Sequence, residues 1–273
     1  MPTPVVTDLS RDDLAELVRA KRLLEQVSLA ARVSNYIGEP IDKLIRALPA
    51  KSSQLILDAS EKAIQASLRV ALLTLRDKPR SASNTLHKIG AATSGAAGGV
   101  FGLPALAIEL PLSTTIMLRS IADIARHQGE DLKTIDSQLA CVEVFALGGP
   151  TRSDDAAEGG YYAVRAGLAK IVSDAASYLA GSTAASESAP LLVRLVAQIA
   201  ARFSIPVTTK AAAQVVPIVG GIGGAVVNTL FIDHFQDIAT GHFLVRSLER
   251  SYGKQVIKEE YDRIDIDAWH SDT

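Results

Sequence analysis

The chain has 273 residues, 48% of them hydrophobic and 5% aromatic, with 28 Lys and Arg against 30 Asp and Glu. That length supplies a core for one large domain or two small ones, and a net charge of −2 excludes the strongly basic surface of a general nucleic-acid binder. A single cysteine, Cys141, excludes an intrachain disulfide and a thiolate metal cluster.

Alanine and leucine with few aromatics favour helices over pleated sheets. No charged segment followed by an apolar stretch opens the chain, so no secretory signal is expected and the protein reads as cytoplasmic. Asp8 or Ser10 caps a first helix expected to run to about Tyr36, with Leu14, Leu17, Leu24, Val27 and Ala31 near helical spacing. Gly38-Glu-Pro40 ends it. A short helix over Ile41–Leu48 stops at Pro49, and Ser52 or Ser53 starts a long one through Leu75. After the polar turn Asp77–Ser83 comes a first apolar unit, Ala91–Leu118, whose only charge is Glu109. Gly148-Gly-Pro150 is a stop, and Ser153-Asp-Asp caps a helix from Ala156 to about Ala180. A small polar loop, Gly181–Pro190, leads to a helix over Leu191–Phe203, and Pro206 is expected to reset the chain before a second, uncharged unit, Ala211–Ile232. A helix through Arg250 ends at Gly253. The prediction is all-α: one multi-helix bundle over residues 1–273, with nine to eleven helices and two central Gly-rich apolar units. Residues 1–9 and 254–273 read as peripheral tails, the latter partly ordered around Trp269.

Gly95 and Gly99, Gly98 and Gly102, and Gly220 and Gly224 stand four apart. On a helix that spacing clears a groove for a second backbone, so the units read either as core helices crossing at their glycines or as apolar hairpins inserted shallowly in a membrane. Full spanning fits poorly, because Pro104, Glu109 and Pro111 interrupt the first unit and Gln214, Pro217 and Asn228 the second. Arg76, Lys78, Arg80 and Lys88 precede the first unit and are candidate contacts for anionic headgroups.

Glu109, between Ile108 and Leu110, is costly to bury unless paired. Thr115, Arg119, Asp123, Arg126 and Glu130 follow at steps of four, four, three and four, on one helix face with Arg119–Asp123 and Arg126–Glu130 as i,i+4 pairs. The bland reading is a solvated stripe; the sharper one places Glu109, Arg119 and Asp123 around a polar pocket between the units. His242, Arg246 and Glu249 repeat the stripe in the second half. Asp233, His234, Asp237 and His242 cluster in sequence, but His234 and His242 are eight apart, against the three or four that chelating helices use. Zinc-hydrolase, nucleophile-elbow, Walker and complete dinucleotide motifs are not found, so no metal or cofactor is implied. The candidate ligand-binding residues are Glu109, Arg119, Asp123, Arg126, His234 and His242. Tyr161, Tyr162 and Arg165 read as packing plus an ion pair, and Cys141 as core.

Several strings together resemble the EcsC family over about Leu75 to Gly253. They are Leu86-His-Lys-Ile-Gly90, Gly98-Gly-Val-Phe-Gly-Leu-Pro104, Ile108-Glu-Leu-Pro111, Met117-Leu-Arg-Ser-Ile-Ala-Asp-Ile-Ala-Arg126, Gly129-Glu-Asp131, Val144-Phe-Ala-Leu-Gly-Gly149, Gly160-Tyr-Tyr-Ala-Val-Arg165, Gly241-His-Phe and Leu248-Glu…Tyr-Gly253. The family takes its name from a gene beside those of a bacterial ABC transporter, and the resemblance implies a bacterial, intracellular protein with a membrane-linked role. Some members carry a peptidase label, but no catalytic residues carry over. The expected function is that of a non-enzymatic helical protein on the inner face of the cytoplasmic membrane. It would bind anionic lipid, an apolar ligand or a membrane protein such as an ABC transporter through the two Gly-rich units. The alternatives are a hydrolase, peptidase-like or metal-assisted, using Glu109 or the Asp233–His242 cluster, and a structural module that forms homo-oligomers.

Overall fold

The computed structural model describes residues 9–25, 28–75, 102–149, 160–181, 189–214 and 222–266. Among these the chain forms ten α-helices and no strand: α1 Arg11–Glu25, α2 Leu29–Ile37, α3 Ile41–Arg46, α4 Ser52–Thr74, α5 Gly102–His127, α6 Ile135–Leu147, α7 Tyr161–Gly181, α8 Pro190–Gln214, α9 Ile222–Tyr252 and α10 Lys254–Arg263. Ser10 starts α1 by accepting a hydrogen bond from the Asp13 amide at 3.1 Å. Ser28 does the same for Ala31 at 3.2 Å, and this second cap is why the single helix expected through Tyr36 is two. Gly38, in the left-handed region at φ 78°, closes α2.

Pro206 does not reset the chain. It lies inside α8, with Ile199, Ala200 and Phe203 buried before it and Val207, Ala211, Ala212 and Ala213 buried after it. Proline in a helix interior costs about 3 kcal/mol, and burial on both sides offsets that loss. Pro111 is likewise carried within α5.

The deepest element is α6, in which every residue from Ser137 to Leu147 is buried. It packs against α4, α5, α7, α8 and α9. Phe145 of α6, Phe203 of α8 and Phe231 and Phe235 of α9 meet there with ring centroids 5.2 to 6.1 Å apart. Around this centre α4 lies along both α5 and α8, α5 packs on α9, and α1 packs on α9. Gly241 permits the last contact: a Cβ there would stand 2.9 Å from the Ala20 carbonyl and 2.7 Å from Leu24 Cγ.

The described parts of the two apolar units therefore lie in packed helices, 102–118 in α5, 211–214 at the end of α8 and 222–232 in α9, and α5 and α9 are joined also by a hydrogen bond from Gln236 to Ser120 at 2.9 Å. Of the spaced glycines, Gly95, Gly98, Gly99 and Gly220 lie outside the described residues, as do Arg76, Lys78, Arg80, Lys88, the Ser153 cap and Trp269. The segment read as a C-terminal tail includes α10, which is docked. Ile257 and Tyr261 are buried, and the Lys21 ammonium donates to the carbonyls of Tyr261 (2.7 Å) and Ile264 (2.9 Å).

Candidate functional site

In the first half of α5, Leu106 and Leu110 are buried, but the pattern inverts around Glu109. Ile108 is 81% exposed and Leu112 43%, whereas the Glu109 side chain between them is only 15% exposed and turns inward to Lys210 at 2.8 Å. Lys210 is fully buried; it also donates to Asn228 at 3.0 Å and sits 5.0 Å over the Phe231 ring. One ammonium on α8 thus joins the carboxylate of the first apolar unit to the amide of the second. Burial of an ion demands such partners. The sequence reading missed Lys210, though its position one residue ahead of the uncharged run was the available signal.

Arg119 and Asp123 do not join this group. They lie ten and fourteen residues beyond Glu109, about 15 and 21 Å along the helix axis, and both are exposed. Asp123 pairs with Arg126 at 2.6 Å, and Arg126 also donates to the Leu75 carbonyl at 3.2 Å. The polar pocket expected among Glu109, Arg119 and Asp123 is therefore not assembled; those two residues and Arg126 form a surface stripe. Glu130 does not pair with Arg126 either. Gly129, at φ 80°, turns the chain off the helix and delivers Glu130 to Arg246 (2.9 and 3.0 Å), Arg250 and Ser137 (2.6 Å). Burial by itself would raise the Glu130 pKa, but the hydrogen bonds from Arg246 and Ser137 and the two guanidinium charges outweigh it and hold the carboxyl below its ordinary range.

His234 and His242 face different neighbours. His234 Nε2 lies 2.7 Å from the Gly148 carbonyl; since a carbonyl only accepts, Nε2 carries the proton. Burial lowers its pKa, against the Gly148 hydrogen bond. Asp233 is exposed, and Asp237 pairs with Arg32 at 2.5 Å. No three His, Cys, Asp or Glu side chains among the described residues are grouped to hold a metal.

His242 belongs to a buried network spanning α6, α7, α9 and α10. Its Nδ1 is 2.9 Å from the Tyr161 hydroxyl, which accepts from Arg165 at 3.1 Å and so has its own proton to give to the imidazole. Arg165 also clamps Glu249 with bonds of 2.7 and 3.0 Å, and Tyr162 adds a third at 3.1 Å. Tyr261 of α10 packs against both tyrosine rings, tilted on Tyr161 and edge-to-face on Tyr162. His242 Nε2 has no partner among the described residues, and burial lowers the His242 pKa well below the ordinary value. Glu143 of α6, absent from the sequence-level candidates because it lies in an apolar run, is buried nearby. Burial raises its pKa, opposed by the charges of Arg165 and Arg246. Burial pushes the Cys141 thiol up to about 12, the mark of a core residue rather than a nucleophile.

Fold and site together define an all-helical protein with internal ion pairs and with apolar side chains turned out on several helices, most of all Ile108 of α5. Within that class, the chain belongs to the EcsC protein family, whose model matches residues 11–248. The match takes in α1 to α4, ahead of the strings that begin near Leu75. Comparison with curated proteins and with solved structures gives no match.

Proposed function

We propose that this EcsC-family protein is a non-enzymatic, peripheral component of the inner face of the cytoplasmic membrane, docking on lipid through the start of α5. The observation that carries the reading is the inversion around Glu109. A helix surface in water normally shows its charges and hides its isoleucines, whereas here the carboxylate is spent internally on Lys210 and Ile108 faces out. Support comes from α8, which by length and composition alone is long and apolar enough to cross a membrane and leaves Val193 52% exposed. The basic residues Arg76, Lys78, Arg80 and Lys88 would add attraction of about 1 kcal/mol each to an anionic surface.

Flotation with anionic vesicles tests the proposal. The wild type is expected to rise with the vesicles, and Ile108→Ser/Leu112→Ser to stay behind with unchanged stability. Reversal of Arg76, Lys78 and Arg80 to Glu should remove the salt-sensitive part of binding. Wild-type protein that stays in the aqueous fraction at low salt overturns the reading. A membrane-protein partner, such as an ABC transporter, would then be the target for the same face, and native mass spectrometry reads homo-oligomers directly. The hydrolase alternative draws less support, because Glu109 is engaged by Lys210 and the Asp233–His242 residues point to separate neighbours.

A further inference from the structure

Beside His234 lies a partly open cavity of about 190 Å³ lined by α1, α2, α3, α8, α9 and the Gly148-Gly149 turn. Its walls are largely apolar, with Leu24, Leu29 and Ile238 among them. The polar groups in the lining differ by depth. Asp42 is exposed and Glu25 half-buried, whereas the His234 ring is 4% exposed. Because Nε2 donates to the Gly148 carbonyl, Nδ1 carries the lone pair, and among the described residues no hydrogen bond reaches it. The ring cannot easily turn away. Gly148 presses so close that a Cβ there would stand 2.4 Å from Phe235 and 3.2 Å from His234 Nε2, so imidazole and turn are locked together.

A largely apolar cavity with a fixed imidazole acceptor in its wall selects by chemistry. No lysine or arginine is among its described lining residues, and both charged ones are acidic, so the walls themselves disfavour an anion. An engineered apolar cavity of about 150 Å³ holds benzene, which sets the size of occupant at roughly one ring with a substituent or a fused pair. A ligand N–H or O–H would give that acceptor a partner.

We propose that this cavity is a binding site for a small uncharged amphiphile, an apolar ring system carrying one N–H or O–H donor, with Nδ1 of His234 as the acceptor. The site is independent of membrane docking: protein that never floats with vesicles would bind all the same. Indole is the probe, and 1-methylindole, which lacks the donor, and benzoate, which is anionic, are the controls. Full-length protein with ¹⁵N-labelled histidine is titrated while long-range ¹H–¹⁵N correlations report the ring nitrogens. Indole is expected to move the His234 Nδ1 resonance saturably at millimolar concentration or below. 1-Methylindole should bind about fivefold more weakly, the worth of one ordinary hydrogen bond, and benzoate should leave the resonance in place. Thr209→Leu fills the cavity without touching the imidazole and should abolish the response; Ile238→Phe does the same from α9 if the first variant fails to fold. In His234→Phe, observed by indole fluorescence, indole and 1-methylindole should bind equally. Absence of a saturable His234 shift with indole, an equal shift with benzoate, or a response that survives cavity filling would each overturn the proposal.

Discussion

The two halves of α9 solve the burial of charge in different ways. Near Phe231 a single cation, Lys210, faces a single carboxylate, Glu109, with one amide beside it. From His242 onward, three guanidinium groups and two hydroxyls converge on two carboxylates: Arg165 and Tyr162 on Glu249, and Arg246, Arg250 and Ser137 on Glu130. The first arrangement has no redundancy. The second spreads each charge over several donors, so loss of one leaves others in place. The contrast has a functional side, since the sparsely held half adjoins the outward-facing Ile108 and the densely held half anchors α7 and α10.

The largest effect should therefore come from the sparse half. Glu109→Leu leaves the Lys210 ammonium buried with no counter-charge, facing the Asn228 amide and the Phe231 ring, and should lower the unfolding free energy by about 3–5 kcal/mol. Adding Lys210→Met should recover most of that, because a well-packed apolar pair is often as stable as the ion pair it replaces. Urea denaturation of the three variants reads both numbers. A single variant as stable as the parent would break the contrast between the halves.

Next in size is the seam where the halves meet. Gly241→Ala drives a methyl group into the Ala20 carbonyl and Leu24, and overpacking of this kind costs about 1–3 kcal/mol. The loss should appear together with faster hydrogen exchange in α1. Unchanged exchange there would mean that α1 is held by something other than this close approach. In the dense half, Tyr162→Phe removes one of three hydrogen bonds to Glu249 and should cost only about 0.5–1.5 kcal/mol. A loss as large as that of Glu109→Leu would refute the redundancy.

The sequence reveals some of this and hides the rest for identifiable reasons. Helical class, the caps at Ser10 and Gly38, and the long helix from Ser52 follow from local chemistry, and local chemistry is written in neighbouring residues. Pro206 misled because its helix is kept by contacts with other helices, which proline propensity does not record. Glu109 was recognisable as a carboxylate in need of a partner, but its partner is 101 residues away. Periodicity pointed instead to Arg119 and Asp123 on the same helix. His242 drew notice only as half of an unsuitable metal pair, since nothing local shows that Tyr161 and Arg165 complete its surroundings. Glu143, in an apolar helix with a full circle of buried neighbours, gave no signal that burial would raise its pKa.

Glu143 offers the finest test of the dense half, through the sign of its pH dependence. Its folded pKa is raised, chiefly by burial. Below the unfolded carboxyl value of about 4.3, folded and unfolded chains both hold the proton, and Glu143→Gln should match the parent. As pH rises past that value the unfolded chain ionises while the folded one keeps its proton, so the parent loses stability until its folded pKa is passed. Glutamine has no proton to lose, and the variant should gain on the parent over that window and hold the gain above it. His242 acts in the opposite direction. Its folded pKa is depressed by burial, so stability is lost as pH falls below about 6.5 and the unfolded imidazole takes up a proton. Urea midpoints from pH 3.5 to 8 should thus show a Glu143→Gln advantage that is largest at high pH, on top of a histidine-driven decline toward acid shared by both proteins. A gain that does not vary with pH, or a loss at pH 8, would mean that Glu143 is ionised in the folded protein and paired with Arg165 or Arg246.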